Sequence, residues 1–140
     1  MSRYPAGRAL PVITRRIAQE HVQLYAEASG DHNPLHLDAE FAAKTEFGRP
    51  IAHGMLALGL ICEAMARSFG RHWLNGGGLR ARFKGPVYVG EEVSIHGEVS
   101  RELVEGGQRR LSCNVALRNS KGEDVVTAVA TVPLPLGETG

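Results

Sequence analysis

The run from Met55 to Phe69 constrains the fold of this chain more than any other segment. It is broken only by polar residues such as Glu63 and Arg67, so a helix here is apolar nearly all round. Such a helix is stable only when other elements cover most of its circumference. At 1.5 Å per residue it measures roughly 22 Å, too short to cross a bilayer. The spacing therefore predicts a central helix buried in protein, and the rest of the chain must supply its cover.

That cover is legible downstream. In EEVSIHGEVSREL, Val93, Ile95, Val99 and Leu103 alternate with Glu92, Ser94, His96, Glu98, Ser100 and Glu102, the period of a strand with one apolar face. Leu111, Cys113, Val115 and Leu117 repeat the pattern against Arg110, Ser112, Asn114 and Arg118, with Gly106 and Gly107 as the turn between the two runs. NSKGED then leads into VVTAVATV, where Val126, Ala128, Ala130 and Val132 make a second face apolar. That predicts a strand buried on both sides, at a subunit contact. Earlier, Leu79, Ala81 and Phe83 alternate with Arg80, Arg82 and Lys84 until Gly85-Pro86 interrupts pairing, as a bulge or edge would. The pattern changes once, near residue 78, from helices to strands. The prediction is one α+β domain over residues 1–140, an antiparallel sheet wrapped around the 55–69 helix.

Composition narrows the partners. A chain of 140 residues, 43% of them hydrophobic, needs no disulfide or metal to hold a core. Its 16 Lys and Arg against 15 Asp and Glu leave a net charge of +1, no field to draw nucleic acid or an anionic membrane, so neither is expected as a partner. The opening MSRYPAGRALPVITRRIA has no apolar signal core, which predicts a cytoplasmic protein. Cys62 and Cys113 lack metal-ligand spacing and are expected as reduced structural thiols.

Ahead of the central helix, QEHVQLYAEAS sets Val22, Leu24, Tyr25 and Ala28 at helical spacing and meets Gly30, predicting a helix over 19–29. Asp38 is placed to cap a short second helix, AEFAAKTEF, ending at Gly48 and Pro50. Between them SGDHNPLHLD crowds Asp31, His32, Asn33, His36 and Asp38 into one loop. Three readings fit that density. One is a capped turn stiffened by Pro34, with Asp31 and Asn33 bonding the backbone. A metal site from His32, His36 and Asp38 is the second, but it needs a helical face that Pro34 denies to Asn33. The third is general acid and base chemistry, in which an Asn-Pro kink brings Asp31 and His36 onto one substrate or water. An imidazole exchanges its proton near neutral pH in either direction.

GRPIAHGM lies directly before the buried helix. Gly54 falls at the helix start, where free N–H groups and the macrodipole hold an oxyanion and a glycine lets a carbonyl come close. A plain chain turn is the alternative for Gly54. A structural hydrogen bond is the expected role of His53.

The run YAEASGDHNPLHLDAEFAAKTEFGRPIAHGM resembles the hydratase 2 motif of the MaoC-like and (R)-specific enoyl-CoA hydratases, and FKGPVYVGEEV resembles the family's strand after the central helix. The resemblance covers most of the chain and implies the hot-dog fold, a long helix wrapped by an antiparallel sheet. Matched position by position, it implies Asp31 and His36 as the catalytic pair and Gly54 as the residue whose N–H binds the thioester carbonyl. Asn33 and Pro34 match the residues that shape the loop between the pair. Cys62 departs from the pattern, since some (R)-hydratases have a serine there facing the acyl tunnel, and core packing is its alternative role.

The function implied is reversible hydration of trans-2-enoyl-CoA to (R)-3-hydroxyacyl-CoA, with no metal and no cofactor beyond the coenzyme A that carries the substrate. A hot-dog acyl-CoA thioesterase and a non-catalytic acyl-thioester-binding subunit are the rival readings. Arg80, Arg82 and Lys84 stand either as contacts for coenzyme A phosphates or as a solvated basic face. The family's habit of pairing sheets edge to edge implies a homodimer or a dimer of dimers.

Overall fold

A computed structural model describes residues 4–135. The chain begins with strand β1 (Ile13–Arg16), followed by helices α1 (Gln19–Ser29), α2 (Pro34–Leu37), α3 (Ala39–Ala43), α4 (Gly54–Phe69) and α5 (Arg71–Leu74). Four longer strands follow: β2 (Gly78–Phe83), β3 (Glu92–Glu105), β4 (Gln108–Arg118) and β5 (Asp124–Leu134). The sheet runs β1-β3-β4-β5-β2, antiparallel throughout. Its inner face meets α4, which buries Ala57, Ile61, Ala64, Met65 and Phe69 among Val93, Ile95, Val99, Leu111, Cys113, Val115 and Leu117. The predicted architecture, α+β with the sheet around one central helix, is the one observed. Among the described residues no helix is long and apolar enough to cross a membrane.

Local chemistry explains the element ends. Helix α1 stops where Gly30 takes φ 80, a left-handed conformation that lets its N–H return to the Ala26 carbonyl. Asp38 caps α3 by accepting from the N–H groups of Glu40 and Phe41. The β3–β4 hairpin turns on Gly106 and Gly107 at φ 55 and 77, the pair of positive values that such a two-residue turn demands.

Three expectations need correction. Helix α3 is shorter than AEFAAKTEF, because the Thr45 hydroxyl and N–H both turn back to the Ala42 carbonyl and the Phe47 N–H bonds the Thr45 hydroxyl. Leu103 lies off the core face and is 40% exposed, since a register shift between Val99 and Arg101 inverts the alternation beyond it. In β5 the residues Val126, Ala128, Ala130 and Val132 face the core, not a second surface, and β5 is an interior strand between β4 and β2. The edge strands are β1 and β2, and Phe83 at the end of β2 lies against Gly54 at the start of α4. Cover of α4 is also one-sided within the chain: Met55 is 59% exposed, and Leu56, Leu58, Leu60 and Cys62 are half-buried.

Candidate active site

Three short segments meet at the start of α4. The first is the Asp31–Asn33 linker leaving α1. The second is α2, which the Asn33 side chain caps by accepting the Leu35 N–H at 3.0 Å, with Pro34 at the first helical position. The third is the Pro50–His53 segment, held by an isolated bridge between Ile51 and Tyr88 and by the Ala52 N–H bonded to the Val87 carbonyl at 2.7 Å. Backbone bonds to the connection between β2 and β3 thus fix the segment that leads into α4.

These segments bring Asp31, His36 and His53 together, with one donor atom from each lying within 4.8 Å of the others. His36 is buried, and its Nδ1 donates to the Ile51 carbonyl at 2.7 Å. A carbonyl can only accept, so Nδ1 carries a proton and Nε2 is the nitrogen left for another partner. Among the described residues nothing else bonds that Nε2. His53 is 2% exposed and donates from Nε2 to the main-chain carbonyl of Asp31 at 3.0 Å. Its ring lies 4.0 Å from that of His36 and 4.8 Å from that of Tyr25. Asp31 itself is exposed, and its Oδ1 accepts the Asn33 N–H at 3.2 Å.

Gly54 opens α4 as its first residue, directly after His53. The N–H groups of Leu56 and Ala57 return to the His53 carbonyl, whereas no acceptor among the described residues takes the Gly54 N–H. A Cβ at Gly54 would come to 3.3 Å from Phe83 Cε1, so the ring packs against this backbone at a distance only glycine tolerates comfortably. Tyr25, Ser29, Asp31, His53, Gly54, Met55 and Phe83 line an open cleft of about 360 Å³. Asp31, the His53 ring, a free helix N-terminal N–H and an apolar wall face one space, while His36 does not line it and lies against the His53 ring.

The remaining sequence candidates lie elsewhere. His32 turns its Nδ1 to the Gly30 carbonyl at 3.3 Å and Asp38 caps α3, so the His32, His36 and Asp38 set considered for a metal is not assembled. The cluster close enough to hold a cation is Asp31, His36 and His53, and its two histidines each spend one nitrogen on a carbonyl. Asn33 serves the α2 cap and does not line the cleft. Cys62 sits two turns into α4, half-buried, and burial pushes its thiol above the ordinary value. Burial likewise raises Cys113, to about 11, so neither cysteine is disposed to act as a thiolate. Arg80, Arg82 and Lys84 line a larger trough, about 770 Å³, on the sheet face turned away from α4. His96, Glu98 and Asp124 line the same trough. His53 makes the structural hydrogen bond expected of it, with a partner 22 positions away that no local spacing reveals.

A central helix wrapped by an antiparallel sheet, with a carboxylate and two histidines gathered at the helix start, defines a hot-dog domain. The MaoC like domain family matches residues 4–120, and the chain belongs to that family. It is 36% identical over 126 residues to the (R)-specific enoyl-CoA hydratase of Aeromonas caviae, covering 88% of this chain and 90% of that protein. It is 33% identical over 132 residues to the 3-hydroxybutyryl-CoA dehydratase of Methylorubrum extorquens, covering 91% and 79%. The solved structure of the A. caviae (R)-hydratase involved in PHA biosynthesis superposes with a TM-score of 0.82 at 32% identity, over 96% of this chain and all of that one.

Proposed function

We propose that this protein is an (R)-specific enoyl-CoA hydratase, adding water to trans-2-enoyl-CoA to give (R)-3-hydroxyacyl-CoA and catalysing the reverse dehydration. The observation that carries the reading is the convergence of Asp31 and His36 beside the free N–H of Gly54. The thioester carbonyl accepts from Gly54, so negative charge gathers on its oxygen as water adds at the β carbon. The exposed Asp31 carboxylate takes the proton of that water, and the His36 Nε2 lone pair orients it. The proton removed from that water is the one returned to the α carbon. Water thus supplies both the new hydroxyl and the new C–H. One oxyanion donor contributes about 3 kcal/mol, and positioned acid and base groups about 10² to 10⁴ in rate. The reaction requires no metal and no cofactor beyond the coenzyme A of the substrate. Coenzyme A is the carrier because the relatives of matching length are named for acyl-CoA reactions.

The working form is a cytoplasmic homodimer, or a dimer of dimers. Supporting it are the free edge of β2, exposed Phe83 and Met55, and the half-covered flank of α4, which together leave an apolar surface beside the cleft. Incubation with crotonyl-CoA tests the activity. Enoyl absorbance should fall with no free thiol released. Thiol release would mean a thioesterase, and no change in either signal would mean a binding subunit.

A further inference from the structure

His53 makes a bond that its packing does not require. Its Nε2–H reaches the Asp31 carbonyl, which leaves Nδ1 as a buried acceptor with no partner. A phenylalanine would fill the same space between Tyr25 and His36 without leaving a buried polar atom unmatched. The imidazole therefore gains its place through the N–H it offers to Asp31. That bond is also the single long-range tie on Asp31 among the described residues. The other two, from the Asp31 N–H to the Ser29 hydroxyl and from the Asn33 N–H to Oδ1, span two residues each and are exposed to water. The same residue lays its ring on His36, and its carbonyl receives the first turn of α4 beside Gly54.

We propose that His53 is a positioning residue that holds the Asp31 main chain, and through it the carboxylate, in register with His36 and the Gly54 N–H. The proposal rests on the acid–base reading of Asp31 and His36. A group held out of place by about 1 Å can lose roughly 10²-fold in rate, so the tie acts on turnover more than on binding.

Steady-state kinetics of the full chain on crotonyl-CoA, with Asp31→Asn measured alongside, test it. His53→Phe keeps a ring and removes the N–H. It should lower kcat by roughly 10 to 10² with KM changed by less than about threefold. His53→Gln places an amide N–H near the lost one and should keep kcat within about threefold of wild type. If His53→Phe does not fold, His53→Asn replaces it. Its amide is one carbon too short to reach the carbonyl, and it should fall below His53→Gln by at least about tenfold. The proposal is overturned if the folded Phe or Asn variant turns over like wild type, or if the Gln variant falls as far as they do. An active Asp31→Asn would instead remove the acid–base reading itself, whatever His53 does. A wild-type protein inert on crotonyl-CoA would contradict both.

Discussion

Asp31, in the linker after α1, and His36, on α2, bring one polar atom each to within 4.8 Å of the other, so they should behave as a unit. Asp31→Asn and His36→Gln should each lower kcat by at least about 10² while the thermal midpoint stays close to that of wild type. The double variant should be scarcely slower than the worse single one. Turnover near wild type in either folded single variant would remove that residue from the mechanism. Gly54 makes a separate prediction. A methyl group there meets the Phe83 ring at 3.3 Å, so Gly54→Ala should cut kcat/KM about tenfold through displacement of the ring or of the amide that binds the carbonyl. Unchanged kinetics in that variant would mean that the thioester does not approach this backbone. The pair and the glycine are legible in sequence because their chemistry is concentrated in two short stretches. The structural hydrogen bond of His53 is legible too, but its partners are not, because they are a carbonyl distant along the chain and a ring it stacks on.

Among the elements, periodicity reads well where one backbone geometry persists. The bounds of helix α1 are foreseen because it ends at a glycine that adopts the left-handed conformation, but its buried face is Val22 and Ala26, with Leu24 and Ala28 exposed. Strand β4 keeps its alternation from end to end. Strand β3 does not, since a single bulge inverts the facing of its far end, and side-chain period carries no mark of an extra backbone residue. Two substitutions separate the two halves of that account. Leu111→Ala, at a fully buried position, should cost about 2–5 kcal/mol in urea unfolding, whereas Leu103→Ser should cost less than about 0.5. Equal losses would place Leu103 back in the core. The loop before β3 supplies a pH-dependent tie. Partial burial works against ionisation of Glu91, but the Tyr88 N–H, the Ser120 hydroxyl and N–H, and nearby Arg49 outweigh it and hold the carboxyl below its ordinary value. A carboxyl depressed in the folded state stabilises the fold above its unfolded value, about 4.3, and loses that contribution as pH falls through the lower folded value. Wild type should therefore exceed Glu91→Gln in urea midpoint at pH 7, with the gap closing toward pH 3. A gap that persists at pH 3 would mean that the glutamate acts through shape alone.

At the scale of the whole molecule, the uncovered flank of α4 and the free edge of β2 adjoin the same cleft that holds Asp31 and Gly54. The proposed assembly and the proposed activity therefore fall on one surface. Light scattering at micromolar concentration should give at least twice the chain mass of 15.1 kDa, and a species of 15.1 kDa alone would contradict the dimer. The fold was legible here because one helix demanded cover and four alternating strands offered it. Which face stays open was not, because the same apolar residues serve a core or an interface until the strand order is known. The central claim is that water adds across the alkene of an acyl-CoA with one handedness. It is tested most directly by incubating the protein with crotonyl-CoA in ¹⁸O-water and determining where the label sits and which enantiomer forms. The account predicts (R)-3-hydroxybutyryl-CoA with heavy oxygen at the β carbon and an intact, unlabelled thioester. Label in a released carboxylate, or an (S) product, would contradict it.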